Sequence, residues 1–498
     1  MGGDAAGMSA ASKLQRERPD SEVIVFEKGE WVSYGACGLP YYLKGEVESL
    51  DDLVSVPPEK FRSERGIDLR TEHEVVEVDA EAKTVTVERR DESGDGNGTD
   101  GGDDADGDAD TPAGTFTQPY GTLIFATGAR AVEPPFDGMG LDGVFTLHEM
   151  DAAREIREYL GLDPEAGEGA AAVEGRREAR EETEDRAVAI VGGGYVGIEM
   201  AEAFSAHGLE VHLFEMLPHV LQPFGEEAAG VVEEHLREQG VRLHLETGVD
   251  GFVPAAGEGT DGDAVGAVDA GGDRFEVDLA LVGVGVAPNV ELAESAGVET
   301  GATGAIATDE YGETNVEDVY AAGDCAEAEN VVTGEPDHVP LALTANRAGR
   351  AIGSTLGGDP TPVGRTAGTA VLKAFDLEVA RTGVIDPERA RSHGFDPVSV
   401  TISAPTRAHY YPGGAELQVT LVADAGSGAV LGASMVGREG AAKRIDTVAA
   451  ALTGELTVEE LEGLDLSYAP PFSPVWDPVL TAAKVLNGKL DAGGVEGE

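Results

Sequence analysis

The chain has 498 residues and 41% hydrophobic content, which gives room for about three domains with ordinary cores. Its 94 Asp and Glu against 35 Lys and Arg leave a formal net charge of -59, a surface that repels nucleic acid and anionic membranes. Two cysteines, no run of about 18 apolar residues and no basic patch leading into an apolar run exclude a disulfide framework and a helical membrane span, and predict a soluble, cytoplasmic protein.

The first element is a glycine turn, GGDAAGMSAAS, followed by a strand, EVIVFE at residues 22–27, that ends on Glu27. A glycine turn opening a helix, with a carboxylate at the end of the next strand, suits a dinucleotide. Two departures stand out: Asp4 occupies the place of the middle glycine, and no strand leads into the turn. Either the start is misassigned or the first strand is missing.

Next comes WVSYGACGLPYYL, in which Cys37 is expected to open a helix. Backbone N–H groups and the helix dipole there would lower the thiol pKa and favour the thiolate that attacks disulfides. Neither CxxC nor CxxxxC occurs, so Cys37 must pair with a small thiol or cycle through sulfenic acid. Cys325 reads as a small packing residue.

Three acidic, glycine-rich segments, 91–110, 161–185 and 257–273, read as solvated insertions. The first alternates Asp residues but lacks the terminal Glu and flanking helices of a calcium loop, so no metal site is expected there. Between them lie further strand signals: TLIFATG at 122–128, AVAIVGGG at 187–194, EVHLFE at 210–215 and LALVGVG at 279–285. Helical patterns at 199–207 and 226–239 separate the later ones.

The most complete motif is VAIVGGGYVGIEMAEAF, in which Gly192, Gly194 and Gly197 follow a strand and open a helix. Glu215 then ends a second strand at the distance expected for a carboxylate on the adenosine ribose. Because it would repel a 2′-phosphate, it favours NADH over NADPH. Asp324, in NVEDVYAAGDCAE, stands where a carboxylate would hold the ribityl chain of a flavin. From about Thr366 the pattern changes to strands at 369–383 and 416–424 and a helix at 443–454, a separate α+β domain.

Together these segments resemble the pyridine nucleotide-disulfide oxidoreductase superfamily, in its single-cysteine branch of coenzyme A-disulfide reductases and NADH oxidases or peroxidases. The stretch Ser33-Tyr34-Gly35-Ala36-Cys37-Gly38-Leu39-Pro40-Tyr41 is similar to that branch's redox signature. The resemblance implies an α/β fold: two doubly wound Rossmann-like domains plus a C-terminal α+β dimerisation domain. Its units are an FAD-binding domain at 1–150 and 290–360, an NAD(P)H-binding domain at 151–289, and a homodimer-forming domain at 361–498.

For FAD and NADH or NADPH the implied contacts are Gly2, Gly3, Ala6, Gly7, Glu27, Ser33, Thr127, Gly128 and Asp324, with Gly192, Gly194, Val196, Gly197, Glu215 and Gly285. For coenzyme A disulfide or a similar small disulfide they are Ser33, Arg16 and Arg18, although the two arginines read equally well as solvated surface. Tyr411 and Tyr468 are implied as phenols that a partner subunit brings to Cys37 to protonate the departing thiolate, or as interface packing. Tyr410 beside Tyr411 is not separable from it in sequence.

Oxygen- and peroxide-reducing relatives usually place a His in the first glycine turn, where this chain has Ala5 and Ala6, which favours disulfide reduction. Ala36 replaces an Asn that several coenzyme A-disulfide reductases carry, so part of the thiol-holding network is expected to be absent. The alternatives are an NADH oxidase or peroxidase cycling Cys37 through sulfenic acid, and a non-catalytic flavin redox sensor. Only nine of the basic residues are Lys, a balance that resembles proteins of salt-loving organisms.

Overall fold

A computed structural model describes residues 1–90, 114–162, 186–255 and 264–495. Its first unit is built on two parallel strand pairs, Ile24–Phe26 with Asp68–Arg70 and Leu123–Phe125 with Val319–Ala321. Residues 1–2 run between them: the Gly2 N–H donates to the Phe26 carbonyl and the Ala126 N–H to the Met1 carbonyl, each at 2.9 Å. One extended step therefore aligns the two pairs around the glycine turn. An antiparallel sheet of His73–Asp79, Thr84–Arg89 and Thr115–Pro119 lies alongside.

Helix Ala5–Glu17 leaves the turn and packs against helix Ala342–Gly357. Glycines permit that approach: a Cβ on Gly349 would stand 2.1 Å from the Ala6 carbonyl oxygen. The C-terminal part of the first unit is thus folded back onto the helix that begins the chain.

The central unit is a five-stranded parallel sheet in the order Arg242–His244, Glu210–Phe214, Ala187–Val191, Leu279–Val282, Val144–Thr146. Residues 188–191 and 279–282 are buried throughout, as strands covered on both faces by helices should be. The sheet begins with Val144–Thr146, ahead of the boundary expected at residue 151, because that strand hydrogen-bonds to Leu279–Val282.

Of the three expected insertions, residues 91–110 and nearly all of 161–185 lie outside the described residues. The third needs correction. Only 256–263 lies outside them, while Val265–Ala270 is a strand paired with Val249–Pro254 and Asp273–Glu276. Its residues Val265, Ala267, Val268 and Ala270 are buried, a weak apolar signal hidden among glycines and acids.

The C-terminal unit is a five-stranded antiparallel sheet in the order Ala370–Ala374, Leu377–Gly383, Val430–Gly437, Glu416–Asp424, Pro397–Pro405. Helices Ala441–Thr453 and Pro478–Val495 pack against it, and Leu417, Val419, Leu421, Met435, Ile445 and Leu486 make its core. No helix among the described residues is long and apolar enough to cross a membrane.

Candidate active site

The two glycine turns are near copies of each other. Gly2 and Gly192 have left-handed φ of 102° and 106°, and a Cβ on Gly7 or Gly197 would each meet the carbonyl oxygen of Gly2 or Gly192 at 2.0 Å. Glu27 accepts the Gly3 N–H at 2.7 Å and the Gly29 N–H at 2.9 Å; Glu215 accepts the Gly193 N–H at 2.8 Å and the Leu217 N–H at 2.9 Å. In both, a carboxylate is fixed at the mouth of the turn with lone pairs left for ribose hydroxyls.

Asp4 in place of the middle glycine is explained by this likeness. At the equivalent position a Cβ on Gly194 would meet nothing within 4 Å. Asp4 itself has an extended φ of -110°, which any residue adopts. Its carboxylate accepts the Tyr34 N–H at 3.1 Å. Burial, then the nearby charges of Glu27 and Asp324, push its pKa up to about 6 against the lowering effect of that hydrogen bond.

Asp324 sits at the end of strand Val319–Ala321, its carbonyl accepting from His338 Nε2 at 2.8 Å. Burial raises its carboxyl, and among the described residues the only hydrogen bond found at Asp324 is that one, to its carbonyl. A half-buried carboxylate of this kind fits a ribityl hydroxyl, so the first turn, Glu27 and Asp324 fit FAD, and the second turn with Glu215 fits the nicotinamide dinucleotide. Ala6 is buried against helix Ala342–Gly357, and Val196 lies in the first turn of helix Tyr195–Ala206.

Thr127 and Gly128 do a structural job. The Thr127 hydroxyl donates to the Asn289 carbonyl at 2.7 Å and Asn289 Nδ2 donates back to the Thr127 carbonyl at 2.8 Å. Left-handed Gly128 and Gly285 flank the antiparallel crossing of Ala129–Ala131 with Val286–Pro288 between the first and central units. Ser33 is held beside the first turn by its N–H to the Gly3 carbonyl, at 3.0 Å, with a left-handed φ of 51°.

Cys37 lies in a 3₁₀ turn, Ala36–Gly38, that leads into the six-residue helix Leu39–Lys44. Residue Cys37 is exposed at the surface although its thiol is crowded by neighbouring groups, whereas Cys325 is fully buried with Sγ 3.4 Å from the Ala322 carbonyl oxygen. The expected lowering of the Cys37 pKa is corrected here. Withdrawal of water by its surroundings, followed by the negative charges of Glu199, Asp324 and Asp4, pushes the thiol above its ordinary value. A helix of barely two turns supplies too small a dipole to reverse those effects.

Glu199 was not visible as a site residue in sequence. It lies on helix Tyr195–Ala206, which the second glycine turn opens, and its carboxylate accepts the Tyr41 hydroxyl at 3.1 Å. Burial raises its pKa to about 7. Three residues on, buried Glu202 binds Lys44 at 2.6 Å, Lys373 at 2.7 Å and the Phe375 N–H at 2.8 Å. The signal available was two acids on a helix face otherwise apolar.

Arg16 and Arg18 end the helix whose start faces the first turn, roughly 16 Å away along its axis at 1.5 Å per residue. Arg18 is held by the Gly357 carbonyl at 3.1 Å. In the C-terminal unit the Tyr468 hydroxyl pairs with Tyr410, at 3.0 Å, and not with Tyr411. Arg444 gathers the loops that carry them, donating to the carbonyls of Thr406 at 3.0 Å and Phe472 at 2.9 Å and to Asp477 at 2.8 Å. Tyr410, Tyr411, Tyr468, Phe472 and Trp476 are all exposed, so an aromatic patch faces outwards.

Residues 1–349 match the family model "Pyridine nucleotide-disulphide oxidoreductase", and residues 369–478 match its dimerisation domain. This chain belongs to that family. Its members are oxidoreductases that use FAD and NAD(P)H, and so does this chain. It is 38% identical over 487 residues, 98% of this chain and 97% of the other, to the NAD(P)H coenzyme A polysulfide/persulfide reductase of Pyrococcus horikoshii. An NADH oxidase of Methanocaldococcus jannaschii is 32% identical, with 98% of each chain covered. Among solved structures, the NAD-dependent persulfide reductase of A. fulgidus superposes with a TM-score of 0.86 at 35% identity, over 99% of this chain and 83% of that one.

Proposed function

We propose that this oxidoreductase uses NAD(P)H to reduce coenzyme A disulfide, or a related low-molecular-weight disulfide or persulfide, through Cys37. The carrying observation is a lone surface cysteine on the segment between the two nucleotide turns, with the second cysteine sealed in the core. FAD, when bound, relays two electrons from the nicotinamide to sulfur. The chain's own residues do the rest. Cys37 as thiolate attacks one sulfur of the disulfide, the S–S bond breaks, and the departing thiolate takes a proton while Cys37 is held as a mixed disulfide. Two electrons then return Cys37 to the thiolate and release the second thiol.

Glu215 would bind the adenosine ribose and favour NADH. The proton for the departing thiolate would come from the Tyr410–Tyr468 pair of a second copy, in a homodimer that covers the exposed aromatic patch. Arg16 is the freer of the two arginines to meet coenzyme A phosphates. Free thiols suit the reducing cytoplasm, and the acidic surface argues against nucleic-acid or membrane partners.

The test is Cys37→Ser in FAD-loaded protein without oxygen. Disulfide-dependent NADH oxidation should fall by at least about a thousandfold, as for loss of a nucleophile, with flavin absorbance retained. Persistent disulfide turnover would refute the proposal.

A further inference from the structure

We propose that Glu233 is a positioning residue for the nicotinamide dinucleotide: from helix Glu226–Glu238 it anchors the segment that braces the second glycine turn. This rests on the reading of that turn as the NAD(P)H site and adds to it a residue, outside the turn, on which its shape depends. Glu233 is buried, and its Oε1 accepts from His219 Nδ1 at 3.0 Å and from the Val220 N–H at 3.3 Å. Arg237 stands 3.7 Å from its other oxygen. The next link is Leu221, whose N–H donates to the Gly193 carbonyl at 2.8 Å, while a Cβ on Gly193 would stand 2.8 Å from Val220 Cγ1. On its other side the Gly193 N–H is held by Glu215 at 2.8 Å. Gly193 is therefore gripped twice, by Glu215 and by the segment that Glu233 holds.

The first turn shows why the second needs such an anchor. There Val32 and Ser33 take the places of Val220 and Leu221: the Ser33 N–H donates to the Gly3 carbonyl at 3.0 Å, and a Cβ on Gly3 would stand 2.8 Å from Val32 Cγ1. Ser33 and Leu221 share a left-handed backbone, with φ of 51° and 49°. A residue with a side chain keeps that conformation only where its surroundings enforce it. In the first turn Asp4 contributes by accepting the Tyr34 N–H at 3.1 Å. The equivalent position in the second turn is Gly194, which has no side chain to offer, so the anchoring falls to Glu233. Without it the Val220–Leu221 brace loosens, Gly193 is free to move, and Glu215 is no longer presented in one place to the adenosine ribose.

The test is reduction of the FAD-loaded protein by NADH without oxygen, followed through the loss of flavin absorbance, which separates the NADH dissociation constant from the limiting rate. Glu233→Ala should raise the dissociation constant about tenfold, the effect of one charge-assisted hydrogen bond. The limiting rate should stay unchanged, because the nicotinamide reacts at the far end of the dinucleotide and only binding is weakened. Glu233→Gln keeps a carbonyl oxygen for the Val220 N–H and should recover most of the affinity. Val220→Ala withdraws the contact on Gly193 while leaving Glu233 in place, and should weaken NADH binding by about threefold. That variant keeps the inference falsifiable if Glu233→Ala fails to fold.

Glu215→Ala, measured beside these variants, reports on the turn itself. NADH binding weakened by Glu215→Ala but not by Glu233→Ala or Val220→Ala would overturn the role of Glu233 and leave the turn as the dinucleotide site. Binding unmoved by Glu215→Ala would sink the reading of the turn, and the role of Glu233 with it. A Glu233→Gln variant as weak as Glu233→Ala, or a limiting rate that falls as far as the affinity, would also overturn it, since neither follows from a lost anchor for the brace. Flavin reduction needs no disulfide, so failure of every disulfide as a substrate would sink the reductase reading and leave this result standing.

Discussion

Glu202 links three parts of the chain through one carboxylate: Lys44 at the end of the helix after Cys37, Lys373 in the C-terminal sheet with the Phe375 N–H in the turn that follows, and its own helix in the central unit. Glu202→Ala leaves two ammonium groups and a backbone N–H without that partner. Removing one side of a buried ion pair costs about 3–5 kcal/mol. Lys44 keeps Glu46 and the Lys373 side chain is 43% exposed, so both can be partly compensated. The lower end, about 3 kcal/mol, is therefore expected. With a urea slope of about 3 kcal/mol/M, the far-UV transition midpoint should fall by about 1 M. Glu202→Gln keeps an acceptor for the Phe375 N–H and should recover about 1 kcal/mol of the loss. A Glu202→Ala midpoint indistinguishable from the parent at the same salt concentration would refute the reasoning.

Glu215→Ala removes the carboxylate at the second turn. A lost charge-assisted hydrogen bond of about 1.5 kcal/mol should raise the KM for NADH about tenfold, while NADPH, freed of repulsion, gains relative to it. An unchanged preference in steady-state kinetics would count against Glu215 as the ribose ligand. Asp4 gives a pH dependence with a definite sign. Its folded pKa of about 6 lies above the ordinary 3.8, so its contribution to stability is full below about pH 4 and is lost as pH rises through 6. Asp4→Asn stays neutral and still accepts the Tyr34 N–H. Urea midpoints should show the variant gaining about 1–2 kcal/mol over the parent at pH 7.5, after allowance for screening, and nothing at pH 4. A gain of equal size at both pH values would show that charge is not the cause.

Both glycine turns, their terminal carboxylates and the change to an antiparallel C-terminal unit were legible because each rests on local chemistry: glycines where the backbone is crowded, and apolar runs where strands are covered on both faces. The strand Val265–Ala270 was not, since its apolar residues are small and surrounded by glycine and acid. The acidity of Cys37 was misread because the sequence shows the helix start but not the surroundings that take water from the thiol, nor the acids Glu199, Asp324 and Asp4 whose charges add to that effect. Tyr410 and Tyr411 could not be told apart by position. Only the fold of the loop decides which hydroxyl reaches Tyr468.

The most direct measurement of the central claim is NADH and NADPH consumption by FAD-loaded protein in high salt, without oxygen, with and without coenzyme A disulfide. Oxidation that requires the disulfide, with two thiols released per nicotinamide consumed, is the predicted result. Oxidation that appears only when air is admitted would contradict it and make the chain an oxidase that cycles Cys37 through sulfenic acid.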